Sequence, residues 1–458
     1  MQTYYTRGVC YLRQLIFLLI VIILLLILSM FTSKEAVISP QFGFTACFVP
    51  GIIYAFNYIR KWNMYLSSQT IETIILGITV FIITSAIINY FSYRFKFRLG
   101  TIRFYEKNYT EVECISDSIP AWKIIIVLIL ELLSLFLVLA FLISNFGTNI
   151  SAAIYAFRLR SMNITSSDYV SLPGFVRLIR RIALAAGYIV MYLFFNGIVY
   201  KSKKNRIAEI VCIVLAFING LILGGRGDGI QLIASGVIIY LLLRRGKYGS
   251  VSFRFTDIIK MIVLATIILA TFAGLGSLLG RQMEFLNFND YIAVYLSAEL
   301  KNLDIFIREG TFGTSFKNSQ TMMNIVNTLG SLLNHQEWIH SLDNPYHYIG
   351  GTALGNVSTI FYAFMYDGGY AGIIGYTALF AVISQAIFQY SLNVRTKKKI
   401  RFSILFYSYV WYTVIFSFFS DKFYEMIFNT AFIWTLVSWA VLVGFFNMKV
   451  KLKFVKGV

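Results

Sequence analysis

Long apolar runs alternate with short polar breaks along almost the whole chain. Runs approaching or exceeding the ~20 residues a helix needs to cross a bilayer core occupy residues 14–32, 41–59, 70–92, 121–145, 174–200, 207–223, 229–243, 257–280, 370–393, 402–419 and 425–447. Closed β-barrels also span membranes, but they show short alternating segments rather than runs of this length. The pattern therefore predicts an all-α polytopic membrane protein with about 11–12 transmembrane helices. It forms a single transmembrane domain over residues 1–458, without a soluble domain or a sequence repeat. The first run is not followed by a small-residue cleavage site, so it reads as a retained helix.

Two stretches depart from this rhythm. Residues 281–350 form the one long polar connection, which carries Tyr, Trp and His residues and alternating charges. Loops of that length are usually functional or disordered, and this composition is not that of a disordered segment. Partly helical, membrane-apposed structure is expected there. Residues 351–369 are apolar but too short to span, so they read as a membrane-apposed or re-entrant segment.

The polar breaks assign sidedness. "SKKNR" (202–206), "RRGKYGSVSFR" (244–254), "RTKKKIR" (395–401) and "KVKLKFVK" (449–456) are strongly basic. An even number of predicted spans separates each from the next, so all lie on one side. The positive-inside rule makes that side cytoplasmic, and "YRFKFRLGTIRFYEK" (93–107) joins it. The long loop then faces outward. Counting back from residue 93 puts residue 1 outside, whereas Arg7 and Arg13 favour inside. One early segment that does not cross would reconcile the two.

Composition agrees: 58% of residues are hydrophobic and 13% charged, against about 25% charged in soluble domains. The net charge of +19 sits in the loops that set topology, so nucleic acid is not an expected partner. Cys10, Cys47, Cys114 and Cys212 have neither metal-ligand nor redox spacing. The spacing of His335, His340 and His347 is not that of a zinc motif, and no Asp-x-Asp pair is present to hold a metal on a sugar nucleotide. No metal or cofactor is expected.

Arginine is the informative residue. "GGRGDG" (224–229) joins two apolar runs at the predicted outer face. It can be read as a tight turn with incidental charges, as an adhesion tripeptide, or as a glycine turn presenting Arg226 to an anion. Pressed against a bilayer, the tripeptide is ill placed for adhesion. Arg177, Arg180 and Arg181 share one helical face at the outer end of another run, and Arg281 follows "GLGSLLG". Arginines at such positions can simply snorkel to headgroups. Guanidinium also grips phosphate oxygens through a bidentate fork that lysine lacks. The five arginines therefore make a candidate site for a lipid-linked phosphate or pyrophosphate. His347, beside the re-entrant segment, and Asp367, in "YDGGYAG", are candidate proton acceptors. Glu299, Asp304 and Glu309 are alternatives as base, sugar ligand or ion-pair partner. Glu131, inside an apolar run, is either functional or paired with another helix. Aromatic residues, 17% of the chain, are mostly interfacial belts and packing; a few can stack on sugars.

Several stretches taken in order resemble a family. "VISPQFGF", "LILGGRGDG" where that family has a Gly-x-Arg turn, "YLSAELKNLDIF", and "GNVSTIFYAFMYDGGYAGIIGY" where it has Asn-x-x-Thr and then Asp-x-Gly-x-x-Gly, are similar to the Wzy-type oligosaccharide repeat-unit polymerases of bacterial O-antigen and capsule assembly. Gly368 follows Asp367 where an aromatic is commoner in the family. The resemblance implies a GT-C-like, metal-independent membrane glycosyltransferase of the bacterial inner membrane with its active site facing outward. It implies undecaprenyl-pyrophosphate-linked oligosaccharides as substrates, and a chain-length regulator and a flippase of the same pathway as partners beside the membrane lipids. On this reading His347, Asp367 and Arg281 are catalytic. Arg226, Arg281, Arg177, Arg180, Arg181, Tyr295, Glu299 and Asn356 bind substrate. An O-antigen ligase, with a different acceptor, and a lipid-linked oligosaccharide flippase are the alternatives.

Overall fold

The computed structural model describes residues 2–94, 114–249, 288–392 and 399–448, except positions 34, 163, 311, 312 and 314. The chain there is largely helical. Seven of the described helices contain a stretch long and apolar enough to cross a membrane: Leu12–Phe31, Ser68–Ser92, Ala121–Phe146, Gly174–Tyr200, Gly227–Tyr248, Phe361–Leu392 and Thr430–Asn447. The polytopic all-α reading holds at that level. The predicted span 257–280 and Arg281 lie outside the described residues.

Other predicted spans are shorter or broken, for identifiable reasons. Residues 41–59 do not form one helix. They fold as Pro40–Ala46 and Phe48–Ala55 followed by a single turn of 3-10 helix. Pro50 lacks the N–H that would bond the Ala46 carbonyl, and its ring crowds that carbonyl, so the helix breaks there. The run 207–223 becomes the helix Arg206–Leu221 and the run 402–419 becomes Phe402–Ile415. Their 16 and 14 residues cover about 24 and 21 Å at 1.5 Å per residue, less than the ~30 Å hydrocarbon core. The run 425–447 divides into Lys422–Ile427 and Thr430–Asn447, where Asn429 caps the second helix by accepting from the Ala431 N–H.

Two apolar clusters share a pair of helices. The first gathers Leu15, Phe44, Phe81, Leu303, Phe361 and Phe380. The second gathers Val127, Ile189, Leu242, Tyr407, Trp411 and Trp439. Helices 361–392 and 402–415 contribute to both. In the first cluster the rings of Phe44 and Phe81 stack 4.1 Å apart. Gly77 leaves room for Phe361, whose ring carbon would lie 2.1 Å from any Cβ there.

One end of the bundle is stapled by cations on helix C-termini, where carbonyls lack intrahelical donors and the helix dipole is negative. Lys123 donates to the carbonyls of Phe445, Phe446 and Met448 at 2.6, 3.2 and 2.7 Å. Lys247 donates to Val199 O, and Arg245 to Leu392 O while pairing with Glu35. This is the end expected to face the cytoplasm.

The opposite end carries the segment expected to face outward, called the outer segment below. The helices Phe288–Leu296 and Ala298–Glu309 lead into Met323–Leu332 and then into a hairpin of His347–Ile349 (β1) and Thr352–Gly355 (β2). Its two-residue turn is Gly350-Gly351, both with positive φ (+56° and +73°), the conformation a type I′ hairpin turn requires. The stretch predicted to be re-entrant thus supplies a strand and then the first turns of helix 361–392. That helix is interrupted at Gly368-Gly369, where Gly369 sits at φ +56°, ψ −141°.

Candidate functional site

The turn 222–226 closes the helical hairpin between Arg206–Leu221 and Gly227–Tyr248. Gly224 takes φ +77°, which an L side chain rarely adopts. A Cβ there would also lie 3.1 Å from Arg158 Cδ and from Ile154 Cγ2. The turn therefore brings the helix Ile150–Ser161 against itself. Gly220 and Gly229 let the two arms touch, since a Cβ on Gly220 would sit 2.8 Å from Gly229 N.

Arg226 ends the turn and is 4% exposed. Its guanidinium donates to the hydroxyls of Tyr291 and Tyr295, the latter at 2.9 Å, and lies 5.5 Å from the Tyr295 ring centroid. Spaced four apart, the two tyrosines share one face of helix 288–296. Tyr295 stacks on Phe419 at 6.0 Å and an interplanar angle of 13°. Burial, with Tyr295 beside it, raises the Tyr291 hydroxyl above its usual range. The two hydroxyls thus fix the direction of the guanidinium.

Arg158 is the residue that the sequence reading missed. It stands one turn beyond Ile154, close enough to Arg226 that the two guanidinium charges repel. Burial and that repulsion lower the stability of its charged form. Among the described residues no carboxylate pairs with Arg158 or with Arg181. A half-buried guanidinium facing another guanidinium is an electrostatic demand for an anion.

The other arginines divide by role. Arg180 donates through Nε and Nη2 to the Asn219 carbonyl at 3.2 and 3.0 Å, and through Nη2 to Asp228 Oδ2 at 2.8 Å. It ties the end of one arm of the hairpin to the start of the other. Arg177 bonds Ser171 Oγ and Leu172 O just before its own helix. Arg181 lies beside both. The turn is therefore flanked by Arg158 and Arg180, with Arg177 and Arg181 beside Arg180, and Asp228 is the one carboxylate ion-paired to these four among the described residues.

The proposed proton acceptors occupy different settings. Asp367 accepts from Ser319 Oγ at 2.5 Å, Gln320 N at 2.8 Å and Thr321 N at 2.9 Å. It clamps the outer segment onto helix 361–392 at its glycine break, and both its oxygens are engaged. The base role is not carried forward for it. Asp367→Ala is expected to release residues 315–322, costing about 2 kcal/mol for the lost charge-assisted bonds. Faster protease cleavage in that stretch, with the helices intact by circular dichroism, would check it.

His347 is half-buried on the hairpin. Its neighbours Ile349 and Leu354 pack on Ala293 and Val294 of the helix that carries Tyr291 and Tyr295. Burial lowers the His347 imidazole below its ordinary 6.5, with Glu309 opposing. The neutral ring, able to accept a proton, thus predominates at neutral pH. His340 has its ring nitrogens 2.9 Å from Trp338 O and 3.1 Å from Ser319 O, a loop-pinning role.

Glu299 follows Tyr295 by one turn but is 1% exposed, and neither carboxyl oxygen has a hydrogen-bond partner among the described residues. Burial pushes it well above the usual carboxylate range. It is enclosed among the helices in this structure rather than presented at an exposed surface. Asn356 is exposed just past the hairpin. Tyr346 and Tyr348, 51% and 68% exposed, pair with ring centroids 4.9 Å apart.

No family model, curated protein or solved structure matches the chain.

Proposed function

We propose that the protein polymerises undecaprenyl-pyrophosphate-linked oligosaccharide repeat units into O-antigen, capsular polysaccharide or exopolysaccharide at the outer face of a bacterial inner membrane. One observation carries this reading: a buried Arg226, aimed by two tyrosine hydroxyls, stands beside Arg158, which pairs with no carboxylate among the described residues, at the end of a membrane bundle. Together they suit a diphosphate leaving group. The family resemblance supplies the substrate class.

In the reaction an acceptor-sugar hydroxyl attacks the anomeric carbon of the donor glycan. The new C–O bond forms as the bond to the lipid pyrophosphate breaks, and the pyrophosphate departs with the electron pair. Arg226 and Arg158 stabilise the charge that grows on it, which is electrostatic stabilisation of the transition state. Arg281 keeps its place in the proposal as a further donor-site cation. The acceptor proton passes to His347, with the exposed Tyr346–Tyr348 pair as a stacking surface for sugar rings.

A pH profile tests the base. The His347 pKa lies below 6.5, so kcat/KM should be flat near neutrality and fall as the pH drops through that lowered value. His347→Gln should remove this acid limb along with about a hundredfold or more of the rate. Stability changes in the same direction. The unfolded chain protonates first, so the contribution of neutral His347 is present above pH 6.5 and is lost on acidification.

Reconstitution tests the function itself. The purified protein in lipid receives one undecaprenyl-pyrophosphate oligosaccharide of its own pathway. A ladder of lipid-linked multimers is expected. A verified substrate that stays unextended would overturn the polymerase reading.

A further inference from the structure

A chain of hydrogen bonds descends from the arginine turn into the membrane-spanning layer. Glu131 lies near the middle of helix 121–146 and is completely buried. Its Oε2 accepts from Asn219 Nδ2 at 2.5 Å, and its backbone carbonyl accepts from the same nitrogen at 3.2 Å. Ser134 Oγ donates to Asn219 Oδ1 at 2.8 Å. Beside the carboxyl, Gly187 lets helix 206–221 come close, since a Cβ there would meet Ala216 Cβ at 2.5 Å, with Glu131 Oε1 in ordinary contact at 3.7 Å.

Asn219 stands in the last turn of helix 206–221, whose carbonyls lack intrahelical donors. Its carbonyl is the one Arg180 caps, and Arg180 reaches on to Asp228 in the first turn of helix 227–248. The sequence Glu131, Asn219, Arg180, Asp228 therefore links a buried acid to both ends of the turn that presents Arg226. In the low-dielectric interior such linked bonds reinforce one another.

We propose that Glu131 is a positioning residue for the anion site, acting through Asn219 and Arg180 to hold the turn that carries Arg226. The claim rests on the anion-binding reading above. It assigns Glu131 the role of hydrogen-bond acceptor, in contrast to an acid that carries protons across a membrane, where glutamine cannot substitute.

The test uses the full-length protein in nanodiscs and farnesyl pyrophosphate as the probe. Glu131→Gln keeps an acceptor oxygen and should bind within about threefold of wild type. Glu131→Leu should bind about tenfold or more weakly, and Glu131→Leu with Asp228→Asn no more weakly than the worse single variant, because coupled residues are not additive. Equal damage by Gln and Leu, independent multiplication of the two losses, or wild-type affinity in Glu131→Leu would each overturn the proposal. A role in stability alone would lower Tm and leave the affinity of the folded fraction unchanged. Should Glu131→Leu fail to fold, Asn219→Ala breaks the same link. A spin label at the exposed Gly225→Cys position reads the ordering of the turn without any ligand. Increased label mobility in Glu131→Leu is expected, and an unchanged spectrum refutes the positioning. Wild-type protein that does not bind the probe, with the label still responding to Glu131→Leu, would instead sink the pyrophosphate reading.

Discussion

Replacing Arg226 with alanine is expected to slow polymer formation about a hundredfold, equivalent to roughly 3 kcal/mol of barrier, and lysine should recover little of the loss. The guanidinium is aimed by two tyrosine hydroxyls and backed by the Tyr295 ring. A lysine ammonium has no planar fork to span both hydroxyls and an anion at once. Alanine also leaves those hydroxyls without their cationic donor. Tyr295→Phe removes one of the two aiming bonds and should fall between wild type and Arg226→Ala. The comparison is made on the rate of ladder formation at matched protein level and Tm. Wild-type rates in both Arg226 variants would dismiss this turn as the donor site.

The largest stability loss is expected at Asp304. This carboxylate is fully buried in helix 298–309. It accepts from Ser67 N at 2.7 Å and Thr70 Oγ1 at 3.0 Å, and it lies 3.5 Å from Lys301 Nζ and 3.0 Å from Arg308 Nη2. It thus caps the start of the Ser68–Arg94 helix from a residue more than 200 positions away, which anchors the outer segment. Asp304→Ala leaves Lys301, itself nearly inaccessible, without its buried partner. Removing one member of such a pair costs about 3–5 kcal/mol, far more than the pair contributes relative to an apolar replacement. Lys301→Met in the same background should recover part of the loss, because the orphaned charge is then gone. Thermal unfolding in detergent, followed by tryptophan fluorescence, reads both. A drop in Tm no larger than that of an exposed control such as Glu72→Ala would refute the buried-pair account.

What could be read from the sequence follows the range of the interactions. Apolar runs announce helices because burial in lipid depends on local composition. The glycine turn at Arg226 was visible because its residues are adjacent. The break before Pro50 is equally local, yet a window of hydropathy averages it away. Arg158 was passed over because only the approach of helix 150–161 to Gly224 brings it to Arg226. The tyrosine spacing in "DYIAVYL" was there to be seen, but which side chain the pair would hold lies 65 residues away. Asp367 looked like a base from its place in a turn, and its three donors come from residues 46–48 positions earlier. Glu131 reads equally well as functional or paired in the sequence, because Asn219, which meets it, lies 88 residues away.

The two clusters that share helices 361–392 and 402–415 also impose an order on biosynthesis. The second cluster draws most of its members from residues 115–243 and can begin to pack soon after they leave the ribosome, with residues 388–446 added last. The first begins with Leu15, Phe44 and Phe81 but stays incomplete, because the rest of its members begin at Leu300 and extend to Tyr424. About 220 residues of further synthesis, at roughly 5–20 residues per second, leave the early helices with only part of their core for some 10–40 s. During that interval their aromatic faces are available to insertion chaperones and to membrane proteases. A chain stopped before residue 361 would keep them so indefinitely, and it should be degraded even though its long apolar helices can still insert.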